Sequence, residues 1–163
     1  MAWVYISVGS NIEPAVNIRS AMQDLRKDYP GPIISSVYES EAVGFDGDNF
    51  YNLVVGFETD QDVREVAQRL RSIEDNHARD RRGPKFSSRT IDLDLLLYGD
   101  LIINDDGLNV PRDEISKNAF VLWPLAEVAA EVVHPQFKQT IAALWQGFDK
   151  NSQVLWPVEF NWG

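Results

Sequence analysis

The sequence predicts an α+β sandwich: a central antiparallel sheet with helices packed on it, followed by helical and edge-strand additions toward the C-terminus. Three observations carry that expectation. Segments of side-chain period two and segments of helical period follow one another as strand, helix, strand, strand, helix, strand. Ile91 to Leu95 alternates so cleanly that Ile91, Leu93 and Leu95 share one face and Asp92 and Asp94 the other. The last third then turns to helical patterning and closes on an aromatic tail.

Trp3 to Val8 is the first strand, with Val4, Ile6 and Val8 on one face and Gly9-Ser10-Asn11 ending it. Pro14 opens a helix whose stripe is Ile18, Met22 and Leu25, stopped by Tyr29-Pro30-Gly31-Pro32. Ile33 to Ser40 and Asn49 to Glu58 read as the second and third strands. Glu41 to Asp48 between them, with two glycines, is longer than a tight turn and leaves room for a ligand-facing loop. On the third strand Phe50 and Asn52 share a face opposite Leu53, Val55 and Phe57. The pair suits an ordinary packed strand, and it equally suits stacking on a flat heterocycle with a carboxamide at the ring edge.

Asp62 and Glu65 form a capping-box pattern for a helix with Val63, Val66, Leu70 and Ile73 on its buried face, fraying near Asn76. The fourth strand ends at Tyr98-Gly99-Asp100. Leu101 to Val110 reads as a hairpin through Asn104-Asp105-Asp106-Gly107. Asn118 to Val128 leads into a helix with Pro124 expected in its first turn, and Thr140 to Gln146 into a short one. His77 and His134 stand apart from other metal-ligand types and read as structural. Val154 to Trp162 is apolar enough to dock as an edge strand. Two β-α-β units around a central hairpin describe a sandwich of ferredoxin-like type, expected as one domain over residues 1–163.

Composition narrows the class. With 163 residues, 44% of them hydrophobic, the chain can bury a core, and no apolar run is long enough to cross a bilayer. The absence of cysteine removes disulfide and thiolate chemistry and fits the cytoplasm. A formal charge of -10 argues against a broad nucleic-acid surface, since neutralising a phosphate backbone needs a basic footprint. Yet Arg79, Arg81, Arg82, Lys85 and Arg89 fall within eleven residues just before the two aspartates. So small a positive island suits a compact phosphorylated ligand.

Asp92 and Asp94, about 7 Å apart along a strand, repel one another unless a cation offsets the field. They read either as the wet face of a half-buried strand or as ligands of a hard cation. Mg²⁺ fits the second reading, because it binds one or two protein carboxylates and completes its shell with water and phosphate oxygens.

Several separated stretches resemble one family, the 6-hydroxymethyl-7,8-dihydropterin pyrophosphokinases. They are Val8-Gly9-Ser10-Asn11, Ser36-Val37-Tyr38-Glu39-Ser40, Phe50-Tyr51-Asn52, Ile73-Glu74, Arg79 onward, the run from Arg89 to Gly99, Val110-Pro111, and Phe120 to Leu125. The resemblance implies transfer of a diphosphate from ATP to the hydroxymethyl group of the pterin, releasing AMP, in folate biosynthesis. It implies that Asp92 and Asp94 hold two Mg²⁺ and that Arg79 and Arg89 join them in catalysis. The pterin is expected between Phe50 and Phe120, with Asn52 at its edge and backbone groups near Ser40 and Val43 assisting. The nucleotide is expected against Arg71, Glu74, Arg79, Arg81, Lys85, Arg89 and Arg112. A monomer without membrane or nucleic-acid partners is the expected state. The chain departs from the family pattern at Lys85-Phe86 (commonly Arg-Trp), Arg112 (commonly His) and Asn118 (commonly Arg). Those departures leave two competing functions in play: a pterin- or nucleotide-binding paralogue of impaired catalysis, and a small RNA-binding module, which the charge disfavours.

Overall fold

Strand β1 (Ala2–Ser10) runs through the middle of the molecule and is buried from Val4 onward, so the remaining elements are arranged about it. The structure, a computed structural model, describes residues 1–41, 48–77, 90–105 and 107–163. β1 pairs antiparallel with β4 (Phe50–Thr59) on one side and β5 (Asp92–Tyr98) on the other. β3 (Val37–Ser40) and then β8 (Leu155–Val158) extend the sheet, giving the order β5-β1-β4-β3-β8, with the two-residue β2 (Ile33–Ile34) also on β4. This is the expected antiparallel sheet with its C-terminal edge strand. β6 (Ile103–Asp105) and β7 (Leu108–Val110) form the expected hairpin apart from it.

The period-two patterns decide what each face carries. Val4, Ile6, Val8, Leu53, Val55, Leu93 and Leu95 point toward helices α1 (Pro14–Asp28) and α2 (Val63–His77), where Ile18, Met22, Leu25, Val66, Leu70 and Ile73 close the larger core. Asp62 and Glu65 cap α2 reciprocally: the Glu65 N–H donates to the Asp62 carboxylate at 2.9 Å, and the Asp62 N–H to the Glu65 carboxylate at 3.1 Å. His77 bridges the two helices through the Ile73 carbonyl and the Ser20 hydroxyl, each at 2.8 Å. The opposite face, with Tyr5, Val54 and Leu96, is covered by α3 (Ala119–Ala129) and α4 (Ile141–Gln146). By parity Gly9, Asn52, Asp92 and Asp94 lie on this second face.

Two expectations are corrected. The strand read over Ile33 to Ser40 is two strands, because the serines divert its hydrogen bonds. The Ser35 N–H donates to the Val54 carbonyl while its hydroxyl accepts the Val54 N–H, both at 2.9 Å. The Ser36 N–H donates instead to Glu127 on α3, also at 2.9 Å. Pro124 lies inside α3 and not in its first turn. Its ring removes the donor for the Phe120 carbonyl, a loss the helix tolerates because Val121, Leu122, Pro124 and Leu125 are all buried. Among the described residues no helix is long and apolar enough to cross a membrane.

Candidate active site

Register builds the site. Asp92 pairs with Gly9, Gly9 with Asn52, and Asn52 with Tyr38, so one row crosses four strands at a single level. At roughly 4.8 Å between strands, the Asp92 and Asn52 backbones stand about 10 Å apart with only Gly9 between them. An added Cβ at Gly9 would lie 2.8 Å from the Asn52 carboxamide oxygen, so this position has room for hydrogen alone. Asn52 itself is buried, 5% exposed. Along β5, Asp94 follows on the same face, opposite Ser7.

The carboxylates are short of positive charge. Burial first, and then Asp92, push Asp94 up to about 7, against the opposing pull of Arg112. The Arg112 guanidinium lies 3.5 Å from Asp94 and 3.1 Å from Glu114. Glu74 reaches the same strand from α2: it accepts the Leu93 N–H at 2.8 Å. Burial raises Glu74 to about 7 despite that bond, helped by its contact with Asp92. Among the described residues no set of three or more Asp, Glu, His or Cys is placed to hold a metal ion. Two carboxylates with little compensating charge do suit Mg²⁺, whose remaining ligands come from water and phosphate.

The raised Asp94 and Glu74 carboxyls make stability depend on pH. The unfolded carboxyls ionise near 4, whereas Asp94 and Glu74 keep their protons to about 7 in the fold. The native chain therefore binds more protons than the unfolded chain between about pH 4 and 7, and this contribution to stability is lost as pH rises through that window. Tm of metal-free protein is expected to fall more steeply with pH than Tm of Asp94→Asn, by several degrees at about 3 °C per kcal/mol, and added Mg²⁺ is expected to restore it. Parallel Tm curves for the two proteins contradict the assignment.

The other expected residues are placed as follows. Phe50 starts β4 directly opposite Ser40. Phe120 is the second residue of α3, partly buried against the second core. Neither phenylalanine belongs to the fully buried set. Arg71 is exposed on α2, one turn before Glu74. Val43, Arg79, Arg81, Lys85 and Arg89 lie outside the described residues, as does Phe86. The structure thus brings together Asp92, Asp94, Arg112 and Glu74, with Asn52 in the same row. Sequence reading missed Glu114, the partner of Arg112, and took Gly9 only as a strand terminator. Glycine inside a strand was the available signal for a close approach. His134 is a turn residue, its Nδ1 accepting the N–H groups of Gln136 and Phe137 at 3.2 Å.

Residues 5–130 match the family model of the 7,8-dihydro-6-hydroxymethylpterin-pyrophosphokinases. The 2-amino-4-hydroxy-6-hydroxymethyldihydropteridine pyrophosphokinase of Aquifex aeolicus is 34% identical over 143 residues, covering 86% of this chain and 89% of its own. The enzyme of that name from Haemophilus influenzae is 30% identical over 158 residues, covering 94% and 98%. Among solved structures, the Plasmodium falciparum HPPK-DHPS with pterin and p-hydroxybenzoate superposes with a TM-score of 0.70 at 16% identity, covering 89% of this chain. The chain spans only 42% of that protein, and the likeness supports the fold alone.

Fold and relatives together define an ATP-dependent diphosphokinase of folate synthesis. The chain belongs to the 7,8-dihydro-6-hydroxymethylpterin-pyrophosphokinase family.

Proposed function

We propose that this chain transfers the terminal diphosphate of ATP to the hydroxymethyl group of 6-hydroxymethyl-7,8-dihydropterin, releasing AMP, with Asp92, Asp94 and Asn52 as its central residues. The observation that carries the reading is the row Asp92–Gly9–Asn52. It puts the Asp92 carboxylate and the Asn52 carboxamide on one sheet face, two strands apart, where the first would bind metal and the second would read the heterocycle. Asn52 offers a donor and an acceptor to the pterin edge. Phe50 and Phe120 would flank the ring, excluding water and supplying stacking, with Ser40 and Val43 at its rim.

Asp92 and Asp94 would hold two Mg²⁺, which when bound neutralise phosphate charge and favour the substrate alkoxide. From the start of β5 they would fix the phosphate chain relative to the pterin hydroxyl, so that orientation and electrostatics would supply the catalysis. Arg112 lies against Asp94 and Glu114, and its remaining donors would bind phosphate. Arg71 and Glu74 would border the nucleotide. Arg79, Arg81, Lys85 and Arg89, from the basic stretch before β5, would bind phosphates, with Arg79 and Arg89 assisting transfer. The protein acts as a cytoplasmic monomer over residues 1–163, without nucleic-acid or membrane partners.

The test is a coupled assay with ATP, Mg²⁺ and the reduced pterin, with products identified by mass. AMP and a pterin heavier by one diphosphate are expected. Pterin binding without AMP formation would instead mark a catalytically impaired paralogue. Arg112→Ala is expected to raise KM for ATP or lower kcat while sparing pterin affinity. Unchanged constants would leave Arg112 a surface ion-pair residue only.

A further inference from the structure

The N-terminus of α3 lacks a cap from its own sequence. Asn118, the flanking residue, is extended (φ -122°, ψ 120°) and its side chain bonds no helix N–H. Its carbonyl accepts from Val121 and Leu122 at 3.1 and 2.9 Å, but the Ala119 N–H needs an acceptor from elsewhere. Gln153 provides it. The Gln153 carboxamide oxygen accepts the Ala119 N–H at 2.7 Å, and its NH₂ donates to the Lys117 carbonyl at 2.8 Å. One planar amide therefore grips the chain on both sides of Asn118, and the residue after Ala119 is Phe120. Two residues beyond Gln153, Leu155 pairs with Ser40, which on its other side pairs with Phe50.

We propose that Gln153 is a positioning residue for the pterin slot, fixing Phe120 relative to Phe50 and Ser40 from a C-terminal segment outside the family-matched residues 5–130. This rests on the reading of Phe50 and Phe120 as the walls of that slot. The geometry is a two-point clamp: the segment carrying Gln153 and Leu155 holds the start of α3 by an amide and the Ser40 edge of the sheet by a strand ladder. Loss of the clamp lets the first turn of α3 fray, and Phe120 sits in that turn. Asp92 and Asp94 lie on β5, separated from Ser40 on β3 by the two strands β4 and β1, so the phosphate side is unaffected.

Gln153→Ala and Gln153→Glu separate positioning from stability. Glu keeps the acceptor for Ala119 and places negative charge at a helix N-terminus, which preserves stability, but it presents only an acceptor to the Lys117 carbonyl. Titration calorimetry of 6-hydroxymethylpterin into protein holding Mg²⁺ and a non-hydrolysable ATP analogue is expected to show about tenfold weaker binding for Gln153→Ala, the scale of a lost helix cap, and a smaller loss for Gln153→Glu, which breaks only the bond to the Lys117 carbonyl. Affinity for the ATP analogue should be unchanged, and Gln153→Glu should melt at or above the wild-type temperature. Phe120→Ala in the same titration distinguishes the two levels. If it weakens pterin binding while both Gln153 variants bind normally, the positioning role is overturned. If Phe120→Ala itself binds pterin normally, the slot is wrongly placed and the inference falls with it.

Discussion

Asp92→Asn and Asp94→Asn are each expected to lower turnover by at least about 100-fold, equivalent to about 2.7 kcal/mol of transition-state stabilisation, while leaving the fold intact. Each substitution keeps the side chain's shape and removes the charge that holds a hard cation. The folding penalty is small or negative, because burial already disfavours the Asp94 carboxylate. Circular dichroism should match wild type, and Asp94→Asn should gain thermal stability near neutral pH. Arg112 is expected to respond as well: without the Asp94 charge it retains Glu114 alone at 3.1 Å. The decisive measurement is kcat against Mg²⁺ concentration. Near-normal turnover of either variant at limiting Mg²⁺ would remove that residue from the metal site.

Asn52→Ala is expected to weaken pterin binding by about 10- to 100-fold, since ring donors and acceptors are left facing a buried apolar surface at about 1–3 kcal/mol. ATP binding should be nearly unchanged. Gly9→Ala is expected to reproduce much of this loss without touching the substrate, because the new methyl would stand 2.8 Å from the Asn52 oxygen and force the carboxamide aside. Thermal melts paired with calorimetry separate this from general damage. A Gly9→Ala protein that melts lower yet binds pterin normally would show that Asn52 can relax without consequence, and would sink the proposed contact.

Much of this arrangement was legible in the sequence because its causes are local. The alternation of Ile91, Leu93 and Leu95 with Asp92 and Asp94 sets the faces of β5, and the Asp62/Glu65 pair marks the start of α2. The β6–β7 turn follows from Gly107, whose φ of 75° is open to glycine at little cost. What escaped was long-range. Ser35 and Ser36 break a strand only because Val54 and Glu127 lie within reach. Pro124 enters a helix interior only because its turn is buried in the second core, beside Val121, Leu122 and Leu125. Gly9 gains its meaning from Asn52, more than forty residues away. Gln153 caps a helix that begins 34 positions earlier.

The central position of β1 has a consequence for how activity arises during folding. Ala2 pairs with Thr59 and Val4 with Tyr98, so the row Asp92–Gly9–Asn52 closes two chain loops of very different length. Such non-local pairing is entropically late and favours slow, cooperative assembly. A chain still lacking β5 has Asn52 and Gly9 but no carboxylate pair, and it can bind neither substrate productively. Ligands that recognise the complete row therefore bind the native state alone and raise its apparent stability by mass action.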